Sequence, residues 1–485
     1  MRVMPIDTGT LHFVGIGGIG MSGIAEVLHQ TGYKVQGSDL AEGANVVRLR
    51  DKKIRVFKGH HQDHLKDADG DPVAAVIVSS AVKCDNPELV AARAQKIPVI
   101  RRAEMLAELM RLKWAVAVGG THGKTTTTSM IGAMLEEGGF DPTVINGGIV
   151  NRYGTNTRLG KSRWMVAEAD ESDGTFARLP LTVAVVTNMD PEHMDHYADF
   201  EDVRRSYRSF LDNLPFYGFA VLCADHPEVQ TLIAACTDRR VISYGFNPQA
   251  DVLAENIRPS GMGSLFDVTF SAALCGGSEV ILRDVYLAMP GRHNVQNALA
   301  ALAIAHELEI APPLMKKALE SFSGVKRRFT MTGKAGGVTV IDDYGHHPVE
   351  IAAVLKTARD VAQEENGRVI AVMQPHRYSR LHSLFEGFCT CFNDADTVIV
   401  GDVYAAGESP VSGASRDDLA DGLRRHGHRD VRVLDDPQDL SGLIATIANP
   451  GDYVIFLGAG DITKWAHALP GELEKILADG KKQRA

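Results

Sequence analysis

Val118-Gly119-Gly120-Thr121-His122-Gly123-Lys124-Thr125 joins a short apolar run, Trp114–Val118, to a segment that reads as helical from Lys124 onward. In a glycine-rich turn between a strand and a helix, backbone N–H groups and the helix N-terminus converge on an anion. In that setting Lys124 can reach the β- and γ-phosphates of a nucleotide, and the Thr125 hydroxyl can sit on Mg²⁺. The strict spacing, G-x-x-x-x-G-K-S/T, wants glycine at position 118. Valine stands there, and the first glycine comes one residue later. The strand–loop–helix context carries the reading despite that shift. Gly120, Thr121, His122, Gly123, Lys124, Thr125 and Thr126 are therefore the candidates for holding a nucleotide's phosphates.

Two later segments follow strands of the same block. Glu168 closes the strand-like Trp164–Ala167 and opens the acidic run Glu168-Ala169-Asp170-Glu171-Ser172-Asp173. His193 lies in Asn188-Met189-Asp190-Pro191-Glu192-His193-Met194-Asp195-His196, after the strand-like Thr182–Thr187. Ligands of open α/β sheets collect beyond the carboxyl ends of strands. Mg²⁺ takes hard oxygen ligands, with substrate phosphates filling much of its shell. Thr125, Glu168 and His193 are thus the expected metal ligands. A solvated acidic loop and a structural histidine are the plain alternatives.

A second glycine loop stands nearer the N-terminus. Gly15-Ile16-Gly17-Gly18-Ile19-Gly20 fits G-x-G-x-x-G between the strand-like Leu11–Ile16 and a helix from about Met21 to Gly32. Asp39 follows at the distance of a ribose-binding acid. Read alone, this says NAD. The physics requires only a pyrophosphate on a helix N-terminus beside a ribose, and a UDP-sugar meets that equally well.

Short β-rich runs alternate with helical patterns along all 485 residues, which predicts an α/β fold with parallel sheets. At about 150 residues per domain the length suggests roughly three domains. Val73–Ser79, Pro98–Ile100 and helices from Pro87 and Arg102 complete a first block ending near 112. The second adds Phe219–Cys223, an alternating stretch from Asp251 to Leu287 and a helix Val295–Leu308, ending near 324. The third carries strand-like Val338–Asp342, Arg368–Met373, Thr397–Gly401 and Tyr453–Leu457.

Composition excludes several classes. A net charge of -10 argues against nucleic-acid binding, which needs a basic surface. Six scattered cysteines with no C-x-x-C pair fit reduced thiols rather than a secreted disulfide scaffold or structural zinc. No signal peptide is expected, and the longest apolar run, Ala298 to Ala305, is far short of the roughly 20 residues of a membrane helix.

Taken together, the motifs resemble the Mur ligase family over nearly the whole chain. They read GIGGIGMSGIA from Gly15, GTHGKTTTT from Gly120, EADESDGTF from Glu168, NMDPEHMDHY from Asn188, GRHNVQN from Gly291, DDYGHHP from Asp342 and QPHRYSR from Gln374. In detail they are similar to the alanine-adding branch. The nearest sibling recycles murein tripeptide, and its first loop and the segment around Tyr344 differ. Several other siblings use a carbamylated lysine, whereas this chain has no lysine between Lys161 and Lys316. The shifted phosphate loop is itself a family feature.

The resemblance implies a Rossmann-like N-terminal domain for the UDP-sugar over 1–112, a central P-loop ATPase-like domain over 113–324 and a C-terminal Rossmann-like domain over 325–485. It implies that Gly17, Gly18, Ile19, Gly20, Asp39, Ser79, Ser80 and Ala81 hold the UDP portion. His293, Asn294 and Asn297 would lie near adenine, although helix capping would equally use Asn294. Arg327 and Asp343 would reach toward the nucleotide. Tyr344, His346, His376, Arg377 and Arg380 would frame the amino acid and the reacting carboxylate.

The implied reaction is ATP-dependent ligation of L-alanine to the lactyl carboxylate of UDP-N-acetylmuramate, with ATP and Mg²⁺, by a cytoplasmic monomer or weak homodimer without nucleic-acid or membrane partners. ATP would phosphorylate the carboxylate, and the amine would attack the acyl phosphate. His193, His346 and His376 are all candidates for the base, and the sequence does not choose among them. The alternatives are the tripeptide-recycling ligase, a nicotinamide dehydrogenase using the first loop and a nucleotide-gated binding protein without turnover.

Overall fold

Leu11-His12-Phe13-Val14 is buried throughout and forms the middle strand of a five-stranded parallel sheet. Its order is Arg55–Lys58, Val35–Asp39, Leu11–Val14, Ala75–Val78, Val99–Arg101. The strand order reverses between Leu11–Val14 and Ala75–Val78, and ligands of open α/β sheets bind in the crevice at such a switch point. The Gly15–Gly20 loop and the segment after Val78 both leave the sheet there. The computed structural model describes residues 8–79, 81–172, 174–192, 194 and 196–482.

The second sheet has ten strands. Around its centre the order runs Arg240–Gly245, Phe219–Cys223, Val183–Val186, Trp114–Gly119, Trp164–Glu168, Thr143–Val150, Thr155–Arg158. Val252–Ser260, Gly263–Phe270 and Val280–Leu287 continue it beyond Arg240–Gly245. Val183-Ala184-Val185-Val186 is fully buried, as suits a parallel strand covered on both faces. Trp114–Gly119 lies between Val183–Val186 and Trp164–Glu168, so the loop after Gly119 emerges between two other strand ends.

The third sheet runs Thr330–Ala335, Val338–Asp343, Tyr453–Leu457, Val369–Met373, Thr397–Val400, Val431–Val433, parallel except for its first, antiparallel edge. Alternate residues feed two separate cores. Ile341, Ala371, Val398 and Ile455 face one of them, while Val340, Ile370, Ile399 and Val454 face the other.

By contact density the chain divides into two units. One comprises Met1–Glu255, Asp267–Val285 and Gln296–Ser323; the other comprises Asn256–Phe266, Tyr286–Val295 and Gly324–Ala485. No described helix is long and apolar enough to cross a membrane. All six cysteines are free.

The expected strands are present with ends shifted by at most two residues, and Phe219–Cys223 and Tyr453–Leu457 match end for end. The first stops at Val14 because Gly15 turns with φ +77°. The following helix, Ile19–Gln30, starts inside the glycine motif rather than at Met21. Asn156 donates to Ile19 O at 2.7 Å, which ties that helix start to the strand Thr155–Arg158 of the second sheet.

Candidate active site

The helix Lys124–Glu137 begins at Gly123, whose φ of +81° favours glycine. A Cβ at Gly123 would lie 2.7 Å from Oδ1 of Asn297, so that asparagine rests against the loop. A Cβ at Gly120 would run into Thr187. The segment after Val186 scaffolds the loop from one side. His122 N donates to Oδ1 of Asn188 at 2.7 Å, Thr187 Oγ1 donates to His122 O at 2.6 Å, and Asp190 N donates to Oγ1 of Thr121 at 2.8 Å. From behind, Tyr207 and Phe210 of the helix Phe200–Asp212 come within 3.6 Å of a Cβ built on Gly119.

Lys124 is folded into the loop. Its Nζ donates to Gly120 O at 2.5 Å, to Thr121 O at 2.9 Å and to Oε1 of Glu171 at 2.8 Å. Burial by itself would lower its pKa, but Glu171 and Glu168 outweigh that and the ammonium is held protonated. Burial pushes the Glu171 carboxyl up to about 7 against the pull of Lys124, and Asp170 adds to the rise.

Thr125 and Thr126 are buried at the helix start, and Thr125 O accepts from Asn146 Nδ2 at 3.1 Å. Glu168 pairs with Val118 across adjacent parallel strands, and its Oε2 accepts from Gly147 N at 2.8 Å. A carboxylate and a hydroxyl beside a phosphate loop suit a hard cation. Among the described residues no group of three or more His, Cys, Asp or Glu converges as a metal cage. His193 and Ser80 lie outside the described residues.

At the first loop, Asp39 uses both oxygens on backbone. Oδ2 accepts from Gly17 N at 2.8 Å and Oδ1 from Ala41 N at 2.9 Å. Gly15 N and Ile16 N donate to Ser38 O. Gly18 and Ile19 are exposed at the helix start. Beside them a cavity of about 370 Å³ is lined by Val78, Ser79, Val82, Arg93, Arg101, Arg102 and His196, among others. Ser79 Oγ accepts from Ala81 N at 3.4 Å. Arg102 lies over Gly20, whose Cβ would be 3.1 Å from Nη1, and its Nη2 donates to Oδ2 of Asp170 at 2.7 Å. Burial would raise the Asp170 pKa, but Arg102 and further partners bring it below the ordinary carboxylate value.

Another group gathers in the second unit. Arg327 has φ +60°, donates to the carbonyls of Gly458 and Gly460 and holds its guanidinium 4.8 Å from the Tyr344 ring centre. Asp343 accepts from Phe329 N and Gly345 N, both at 2.7 Å. Burial pushes its carboxyl up to about 6 against the opposing pull of Arg328 and those N–H groups. His346 lies edge-on to Tyr344 and to His376, which stacks on Tyr404 at 5.5 Å. Nη1 of Arg380 is 3.2 Å from Nδ1 of His376. Burial, then Arg380, His346 and Arg377, push the His376 pKa down to about 4. Arg377 has φ +69° and points to Glu408 at 3.8 Å. His293 belongs to the same unit, and burial followed by Arg328 lowers its pKa to about 4. Asn294 donates to Pro290 O at 2.7 Å, which braces the turn before its helix. His347, next to His346, is the N-cap of the helix Pro348–Glu364.

Sequence reasoning passed over Arg93, Arg101, Arg102, Tyr404 and Glu171. Arg101 and Arg102 did carry a signal. Two cations at the start of the helix Arg102–Met110 oppose its dipole, which favours anions there. An anionic ligand in the adjoining cavity would reverse that penalty.

Comparison with known proteins agrees with this layout. The catalytic domain of the Mur ligase family matches residues 10–114, the Mur ligase middle domain 118–305, and the glutamate ligase domain of Mur ligases 327–460. The UDP-N-acetylmuramate–L-alanine ligase of Nitrobacter hamburgensis is 61% identical over 473 residues, covering 98% of this chain and 99% of that protein. That of Rhodospirillum centenum is 62% identical over 476 residues, covering 98% and 97%. Among solved structures, the UDP-N-acetylmuramate–alanine ligase of Thermotoga maritima has a TM-score of 0.79 at 29% identity, covering 97% of this chain and 99% of that one. A MurF ligase of Thermotoga maritima in complex with ADP shares the fold, with a TM-score of 0.63 at 18% identity over 98% of this chain and all of that one. With all three family domains present in order and close relatives matched along nearly its full length, the chain belongs to the Mur ligase family.

Proposed function

We propose that this protein joins L-alanine to the lactyl carboxylate of UDP-N-acetylmuramate at the expense of ATP, in cytoplasmic peptidoglycan precursor synthesis. The near-full-length likeness to ligases of that name carries the reading. On this reading the residues up to about 112 hold the UDP-sugar, 113–324 hold ATP, and those from 325 take the amino acid and close over ATP. The arginine-lined cavity at the first switch point suits a diphosphate, and the loop at Gly120–Thr126 suits a triphosphate.

A carboxylate oxygen is a poor leaving group, so the carboxylate is first phosphorylated and the amine then displaces phosphate. The first step is phosphoryl transfer, which depends on positioning and charge stabilisation. Lys124 neutralises charge on the transferred group. Thr125 and Glu168 would hold Mg²⁺, together with His193, and the bound ion would supply further positive charge against the triphosphate. Arg327, Arg377 and Arg380 would offset the repulsion between anionic reactants. Positioning of this kind is worth effective molarities of roughly 10⁵–10⁸ M.

The attacking amine has to lose a proton. Arg380 is always a donor, so Nδ1 of His376 accepts and a neutral His376 carries its proton on Nε2. His346 is the reverse: Nδ1 faces the Tyr344 carbonyl at 2.9 Å and must donate, which makes Nε2 the basic nitrogen. This tautomer argument supports His346 over His376 as the base.

Mass spectrometry of the product tests the function. Incubation with ATP, Mg²⁺, UDP-N-acetylmuramate and L-alanine should add one alanyl residue. Product formed only with L-alanyl-γ-D-glutamyl-meso-diaminopimelate would assign the protein to tripeptide recycling instead.

A further inference from the structure

Glu171 lies three residues beyond Glu168, is 3% exposed, and places Oε1 2.8 Å from Nζ of Lys124. An ammonium has three N–H donors, and here Gly120 O, Thr121 O and Glu171 take all three. A triphosphate in the loop needs that ammonium, so at least one bond must be exchanged for a phosphate oxygen. The two carbonyls belong to the loop itself and move only with it. The carboxylate is the partner that can be left behind. Its main chain is fixed, since Tyr197 Oη donates to Glu171 O at 2.6 Å. Lys124 pulls it toward the ionised form, in which it also repels an incoming phosphate over a short distance.

We infer that Glu171 is a positioning residue for the nucleotide: it holds Lys124 in the loop and competes with the triphosphate for the ammonium, thereby setting ATP affinity. The inference rests on reading Gly120–Thr126 as the ATP site. A buried ammonium is costly without a counter-charge, and Glu171 supplies one.

The test is E171Q in the full-length protein. Glutamine keeps the size and an acceptor oxygen but removes the charge. The KM for ATP and the calorimetric Kd for ADP should both fall about tenfold, with kcat changed less and the KM values for UDP-N-acetylmuramate and L-alanine unmoved. E171D keeps the charge but draws it back from Nζ, and its ATP KM should fall between those of E171Q and the wild type. Should E171Q fail to fold, E171D carries the test: a lowered ATP KM supports the inference and an unchanged one overturns it. E171Q with wild-type nucleotide constants, or with all three KM values shifted together, overturns it as well. A wild-type protein with no ADP affinity removes the reading of the loop and this inference with it.

Discussion

Glu168 stands directly opposite Val118 in the parallel pairing of Trp164–Glu168 with Trp114–Gly119, one residue before the phosphate loop turns away from the sheet. The register therefore delivers a carboxylate to the mouth of the loop without help from any later segment. One of its oxygens is held by Gly147 N, and a Cβ at Gly147 would collide with the carboxylate, so glycine there makes the approach possible. Glu168→Gln should raise the Mg²⁺ concentration for half-maximal ATP-dependent phosphate release by at least about tenfold. A Mg²⁺ titration unchanged from wild type would remove Glu168 from the metal site.

His346 and His376 differ in which ring nitrogen is basic, so their variants should separate kinetically. His346→Gln should lower kcat by about 10²–10⁴-fold at saturating L-alanine, the range of a lost general base. His376→Gln should act mainly on the KM for L-alanine. Steady-state kinetics of both variants decide the matter, and equal losses of kcat would contradict the assignment.

His293 makes stability depend on pH. Its pKa falls from 6.5 in the unfolded chain to about 4 in the fold, because burial penalises the charged ring. Its contribution is therefore full above about 6.5 and is lost as pH falls toward 4, where only the unfolded chain binds the proton. Asp343 runs the other way. Its pKa rises from 3.8 to about 6, so its contribution is present below 3.8 and is lost as pH rises through 6. Comparing the wild type with His293→Gln cancels the Asp343 part. The gap in melting temperature between the two should narrow from pH 7 to pH 4.5, as read by calorimetry; a constant gap would show that His293 does not titrate in that window.

Arg101 lines the cavity at the first switch point from a helix start where a cation is otherwise unfavourable. Arg101→Ala should raise the KM for UDP-N-acetylmuramate about tenfold, the worth of one charge-assisted hydrogen bond. The KM for ATP should stay unchanged. A shift in both would mean that the arginine supports the fold rather than the ligand.

The turns of both glycine loops were legible in the sequence because backbone geometry leaves its mark as glycine spacing. The placement of Lys124, Thr125 and Glu168 followed because each sits at a fixed distance from a strand end. Side chains that reach the site by tertiary packing left weaker traces. Glu171 and Asp170 sit in one acidic run, yet one meets Lys124 and the other Arg102, a division no spacing rule contains. Tyr404 stacks on His376 from a distant loop. Thr143–Val150 was unread as a strand because Gly147-Gly148 interrupts its apolar pattern. Asp39 was expected at a ribose, and the structure adds that it pins the glycine loop with one oxygen.

Phosphate release from ATP with Mg²⁺ and UDP-N-acetylmuramate, followed with and without L-alanine, tests the central assignment most directly. Release that requires both the sugar acid and L-alanine is the expected result. Release that requires the murein tripeptide instead, or that never depends on an amino acceptor, would contradict it.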